Sequence, residues 1–176
     1  MRYTIEPLEG FSNKIGELAF MLDHTRTLTL GEVSGFQRSD LDYLEDGSSN
    51  SIGALLYHIA AIEKVHQLIT FENRDFTEEE FAEWGAAIEL GAKARKEIKG
   101  KSLDFYLQLL HDTRNETLRL LREKEDSWLY AGGAWPNGVP FNHYYLWFHV
   151  MEDEISHRGQ IRMMKKKLKK GEPTDE

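Results

Sequence analysis

The feature that most constrains the fold is a stripe in the last third of the chain. Over residues 145–170, Leu146, Val150, Asp153, His157, Ile161, Met164 and Leu168 follow one another in steps of three or four. That is the spacing of one buried face of an α-helix. Five of the seven are apolar, and the two in the middle are a carboxylate and an imidazole one turn apart. A buried carboxylate is costly unless something pairs with it. The stripe therefore demands a partner for Asp153: a metal ion, or a guanidinium such as Arg158, Arg162 or an arginine from another helix.

The remaining segments read as further helices. Residues 8–30 carry Phe11, Ile15, Leu18, Phe20, Met21 and Leu22 at helical intervals. Residues 31–49 form a structured connection with one helical turn near 40–44. Asn50 or Ser51 caps a second helix running to about residue 71, with Ile52, Leu55, Leu56, Ile59, Ile62, Val65 and Ile69 as its stripe. Thr77-Glu-Glu-Glu80 is a capping box. It opens a charged, alanine-rich segment to about residue 99, which Gly85 and Gly91 should break or loosen. Ser102 starts a third long helix over 103–124, with Phe105, Leu109, Leu110, Leu118 and Leu121. Residues 126–141 are a loop whose Trp128 and Trp135 should fold back onto the helices. Asn142 caps the last helix, and Gly171 and Pro173 end it. No segment reads as a strand of any length. The expected fold class is all-α: one domain over residues 1–176, a four-helix bundle with a long, partly helical connection between the second and third helices that makes a crossover available.

Composition narrows the function. The chain has no cysteine, which removes disulfides, thiolate metal sites and cysteine nucleophiles. Its formal charge of −8 argues against nucleic acid as a partner. The one basic run, Lys165-Lys166-Lys167-Leu168-Lys169-Lys170, suits the negative end of a helix dipole. No stretch approaches the ~20 apolar residues of a membrane span. The first residues lack the apolar run of a signal peptide, so a cytoplasmic location is expected.

An i, i+4 pair such as Asp153 and His157 places its Cβ atoms ~6 Å apart on one face. A catalytic zinc-type site takes three protein ligands and keeps a position open, so a third donor must come from another helix. His58, in the series Leu55, His58, Ile62, Val65, Ile69, is the best candidate. His66 lies eight residues further on, ~12 Å along the axis, and cannot share an ion with His58. His149 either pairs with Asp153 at i, i+4 or faces a substrate. His24, His111 and His143 sit at positions that read as exposed or terminal. Tyr144, Tyr145, Trp147 and Gln160 are pocket candidates, although aromatics at a helix start also pack under loops. Gly159, inside the helix, costs ~1 kcal/mol relative to alanine. Its presence predicts close approach of another helix or loop.

Two segments resemble a known family. His157-Arg-Gly-Gln160-Ile resembles the His-Arg-Gly-Gln signature on the last helix of the DinB-like (damage-inducible) four-helix metalloproteins. Residues 51–63, Ser-Ile-Gly-Ala-Leu-Leu-Tyr-His58-Ile-Ala-Ala-Ile-Glu, resemble that family's second-helix segment, in which the histidine is a ligand. The resemblance implies a metal held by His58, Asp153 and His157, a His/Asp/His variant of the family triad. Most members have His at the middle position, and a branch resembling thiol-dependent maleylpyruvate isomerases has Glu. Asp153 is one methylene shorter than Glu, which leaves both direct coordination and coordination through water open. Two imidazoles and a carboxylate suit Zn, Ni or Fe(II). The resemblance further implies a metal-dependent enzyme activating a low-molecular-weight cellular thiol for transfer or isomerisation of a small-molecule substrate. With no cysteine in the chain, the thiol is a cosubstrate. His149, Gln160 and Tyr145 would line the pocket or support the ligands. The competing reading is a non-enzymatic bundle with a structural or vestigial site, and a homodimer paired through a helix face is compatible with either. Residues 72–100 are longer than the resemblance accounts for.

Overall fold

The computed structural model describes residues 3–171. Four long helices form the body: α1 (Asn13–Val33), α3 (Ile52–Gln67), α6 (Leu103–Leu121) and α7 (His143–Gly171). One turn of helix, α2 (Arg38–Leu41), lies between α1 and α3, and α4 (Glu78–Glu89) and α5 (Gly91–Glu97) lie between α3 and α6. No helix is long and apolar enough to cross a membrane among the described residues. Pro173, expected as part of the final stop, lies outside them.

Two apolar clusters fix the helix directions. One gathers Val33, Ile52, Tyr106, Leu110, Ile161 and Met164. The other gathers Ile15, Leu18, Leu22, Leu121, Trp147 and Val150. The C-terminal half of α1 therefore meets the N-terminal ends of α3 and α6 and the C-terminal half of α7. So α1 and α7 run one way, and α3 and α6 run the other. α3 packs on α6 and α7, and α1 on α7 and α6. Because α3 and α6 are parallel, their connection must return the length of the bundle, and α4–α5 do so along the outside of α3.

Between the two clusters lies a buried layer of charge to which each long helix contributes one residue: Arg26, Glu63, Arg114 and Glu154. Arg26 reaches Glu63 at 2.8 Å and Glu154 at 2.9 Å. Arg114 reaches Glu63 at 2.7 Å and Glu154 at 3.4 Å. Each guanidinium also donates from Nη1 to a carbonyl, Arg26 to Leu110 and Arg114 to Leu22, and Thr117 donates to Glu63 at 2.7 Å. Burial alone would raise the Glu63 carboxyl, but the two guanidinium charges and these hydrogen bonds pull it down to about 2. This layer revises the expected face of α3. Glu63, His66 and Gln67 point inward, whereas Ile62, Val65 and Ile69 are only half-buried on the flank.

The local signals act as follows. Ser51 accepts from the Ala54 amide, Ser102 from the Phe105 amide and Asn142 from the Tyr145 amide, capping α3, α6 and α7. Thr77 and Glu80 close their capping box at 3.2 and 2.9 Å. The helical break beyond it falls at Leu90 and Gly91, both at positive φ, where Asn50 receives the Gly91 amide. Gly85 stays helical against the Phe81 ring. α1 begins at Asn13 rather than residue 8, because Gly10 adopts a left-handed φ of 83°. Asp126 caps α1 from a distance, accepting from the Lys14 and Ile15 amides.

The segment after α6, expected to lack strands, contains a three-residue hairpin, Gly132–Ala134 paired with Pro140–Asn142. A Cβ on Gly132 would come within 2.0 Å of the Phe141 carbonyl oxygen. Gly138, at φ 81°, closes the turn. Such short pairings carry no period-two pattern. Trp128 does fold back, stacking on Phe71 at 4.9 Å. Trp135 instead packs within the hairpin on Phe141 at 4.6 Å and stays 37% exposed. Gly159 departs from expectation too: a Cβ there meets nothing within 4 Å.

Candidate metal centre

The stripe on α7 is buried at Leu146, Val150, Ile161 and Met164, and it carries Asp153 and His157 into the seam with α3. Since α3 and α7 run antiparallel, His58 arrives opposite them. Asp153 Oδ1 lies 3.5 Å from His58 Nε2 and 3.3 Å from His157 Nε2. The two imidazole rings meet edge to face at 4.7 Å, and one donor atom from each of the three residues lies within 4.8 Å of the others. His58 is 8% exposed, and the Asp153 and His157 side chains 15% and 13%.

Hydrogen bonding sets the protonation pattern. His58 Nδ1 lies 2.7 Å from the carbonyl oxygen of Ala87 in α4. A carbonyl only accepts, so Nδ1 carries the proton and a neutral His58 turns the Nε2 lone pair toward the carboxylate. Lone pair then faces lone pair unless a cation, proton or metal, sits between them. Asp153 Oδ2 and His157 Nδ1 are buried with no hydrogen-bond partner. Burial pushes the Asp153 carboxyl up, but the contacts with His157 and His58 outweigh it and hold the group well below the usual carboxylate range. Two donors ~2.0–2.1 Å from a tetrahedral ion lie ~3.3 Å apart. The 3.3 and 3.5 Å separations match that spacing, so the residues present fit a shared divalent ion.

The rival partners of Asp153 are engaged elsewhere. Arg158 donates to the Thr25 carbonyl at 3.1 Å, Arg162 to Glu32 at 2.6 Å, and Arg26 and Arg114 to Glu63 and Glu154. Among the described residues, the ion-pair partners of Asp153 are His58 and His157.

The other sequence candidates separate by position. Tyr145 is half-exposed and stacks on His149, ring centroids 6.5 Å apart. His149, half-buried with its side chain 44% exposed, lies 3.5 Å from Glu152 and faces His66 across the seam. Gln160 is exposed, Trp147 is fully buried against Phe71, and Tyr144 packs beside the apolar cluster at that end. His24 and His143 are half-buried and His111 is exposed. Sequence reasoning missed the Ala87 carbonyl, for which a backbone group leaves no side-chain signal. It also missed the charged layer, for which a signal existed. Each long helix contributes one buried charged residue to it, Arg26, Glu63, Arg114 and Glu154, two basic and two acidic.

The chain matches the family described as Mycothiol-S-transferase over residues 17–169. No curated protein matches it. Solved structures of similar fold include a conserved protein from Enterococcus faecalis, at TM-score 0.65 and 12% identity, covering 85% of this chain and 93% of that one. An uncharacterised protein from Clostridium difficile 630 is similar at TM-score 0.64 and 15% identity, covering 86% of this chain and 95% of that one. One from Escherichia coli UTI89 is similar at TM-score 0.62 and 14% identity, covering 88% and 94%. At such identities these likenesses establish the fold alone. The family match spans most of the chain and agrees with the two motifs around His58 and His157: the protein belongs to the mycothiol S-transferase family of the DinB-like superfamily.

Proposed function

We propose that the protein is a metal-dependent S-transferase that holds one divalent ion at His58, Asp153 and His157 and takes a low-molecular-weight thiol as cosubstrate. The observation that carries this reading is the meeting of three donor atoms from two antiparallel helices in a nearly dry seam, with no guanidinium on the acid. Zinc, nickel and ferrous iron all accept this donor set. When bound, such an ion supplies a Lewis acid that lowers the pKa of a coordinated thiol or water.

The chain's own residues do the rest. The Ala87 carbonyl orients His58, so the imidazole meets its ligand through Nε2. Asp153 brings one negative charge, which offsets half of a dication and leaves a net positive site attractive to a thiolate. Three protein donors, rather than the four of a closed structural site, leave room for that ligand. Without cysteine, the chain cannot supply the sulfur itself. The family description supports transfer over isomerisation.

The test is elemental analysis of untagged protein, followed by thiol-transfer assays with bacterial thiols and a generic electrophile. One ion per chain is expected, lost in His58→Ala and His157→Ala. Substoichiometric metal in the unmutated protein overturns the reading.

A further inference from the structure

α7 carries a second stripe that the bundle does not use. Phe148, Glu152, Ile155, Gly159, Met163 and Lys166 follow one another in steps of three or four, so they share one face of the helix. That face turns away from the metal centre: Gly159 stands roughly 160° round the helix from His157 and roughly 120° from Asp153. All six residues are exposed. Phe148 is 50% exposed, Ile155 48% and Met163 57%. Phe148 and Ile155 also wall a cavity of about 740 Å³ between α1 and α7, beside the exposed Tyr3 and Ile5. Half-exposed side chains of this size each present roughly 100 Å². With the polar residues between them, the face offers on the order of 800 Å², the share that each partner buries in a standard interface.

The stripe matches itself when turned end for end about Gly159. Ile155 lies four residues before it and Met163 four after, ~6 Å each way. Glu152 lies seven before and Lys166 seven after, ~10.5 Å each way. A two-fold contact requires this symmetry, in which residue i meets residue j and j meets i. A different protein would have no need of it. The charges are also available for pairing. Lys165 and Lys167 are engaged by Glu32 and Glu45, whereas Lys166 has no ion-pair partner among the described residues. Glu152 reaches only its own His149, at 3.5 Å.

We propose that this face pairs two copies of the chain, with the α7 helices antiparallel and crossing at Gly159. Ile155 of each copy then packs at the height of Met163 of the other, and Glu152 meets Lys166. Within one chain a Cβ at Gly159 meets nothing within 4 Å. Across the two-fold, the missing side chain lets the helix axes approach at their crossing point. Gly159→Ala therefore acts in two directions: it favours the helix in the dilute, single chain and weakens the pairing. The metal centres lie on the far side of each α7, so the pairing stands independently of the thiol-transferase reading.

Sedimentation equilibrium of the full chain, from low micromolar to near-millimolar concentration, tests this. The mass should rise with concentration toward twice that of one chain. Ile155→Glu, which sets a charge into the apolar contact, should raise the dissociation constant at least tenfold. Glu152→Lys and Lys166→Glu each place like charges at both symmetry-related contacts and should raise it roughly tenfold. The double reversal, Glu152→Lys with Lys166→Glu, should return it to within roughly threefold of the unmutated value. All four variants change exposed residues, and unchanged far-ultraviolet dichroism checks that they fold. A single chain at every concentration overturns the proposal and leaves the face to a different protein. A dimer that none of the variants weakens lies on another face and also overturns it. Weakening by the single reversals without rescue in the double overturns the antiparallel alignment on which the proposal rests.

Discussion

His58 Nδ1 and the carbonyl oxygen of Ala87 stand 2.7 Å apart, which ties a seam residue of α3 to the outer helix α4. The inserted stretch between α3 and α6 therefore does more than cross the bundle. It buries Ala86, Ala87, Ala94 and Ile98 against α3 and fixes which nitrogen of His58 faces Asp153.

Ala87→Leu should push α4 away from α3, because Ala87 is fully buried and has no room for three more carbons. Losing the carbonyl that orients a ligand histidine typically costs ~10–100-fold in metal affinity. Competition with a chromophoric zinc chelator measures this. Unchanged affinity in a folded Ala87→Leu protein would show that His58 needs no outer support.

Zinc at ~100 times its dissociation constant should raise the unfolding free energy by ~2.7 kcal/mol. Asp153→Asn should lose most of that gain. With chelator, the far-ultraviolet dichroism should keep its helical form while thiol transfer stops, as fits an open site on a bundle that has its own core. Unfolding by chelator alone would mark a structural metal instead.

Glu63→Ala leaves two buried guanidinium groups with only Glu154 to share. Breaking a buried ion pair in this one-sided way costs ~3–5 kcal/mol. Urea denaturation should show a loss of unfolding free energy of that size.

The same residue sets an acid dependence. Its carboxyl falls from 4.5 to about 2 on folding. A lowered folded pKa means that the stabilisation is complete above the unfolded value and is lost as pH falls toward 2. At roughly 1.4 kcal/mol per pKa unit, Glu63 contributes on the order of 3 kcal/mol through that window. Denaturation at successive pH values should show a slope between pH ~4.5 and ~2 that flattens in Glu63→Gln.

Gly159→Ala should stabilise the chain by ~1 kcal/mol, since helix propensity improves and the added methyl meets open space. Thermal melting measures it. A loss of stability would reveal a neighbour at this face in solution, such as a second copy of the chain.

Much of the architecture was legible because its signals are local. Ser51, Thr77, Ser102 and Asn142 cap where their side chains predict, and the α7 stripe carries Asp153 and His157 into the interior. The meeting of His58 with that pair was legible only as a candidate, because helical spacing fixes a face and not which helices become neighbours. Two kinds of feature escaped. The hairpin is too short for an alternating pattern and depends on Gly132 accepting the Phe141 backbone at close range. The inward face of α3 was misjudged because Ile62 and Val65 follow the apolar spacing and Glu63 does not. Glu63 is buried because Arg26 and Arg114, distant in sequence, neutralise it.

That charged layer also governs how the helices may slide. A shift of α3 by one turn relative to α7 is ~5.4 Å, which would take Glu63 out of reach of both arginines and leave them only Glu154 to share. The ionic quartet works as a ratchet tooth, holding the axial alignment of α3 and α7 before any ion arrives. His58 and Asp153 therefore confront each other by default in the apoprotein, and the ordering that an incoming cation would otherwise have to impose has already been done by four residues that never touch it.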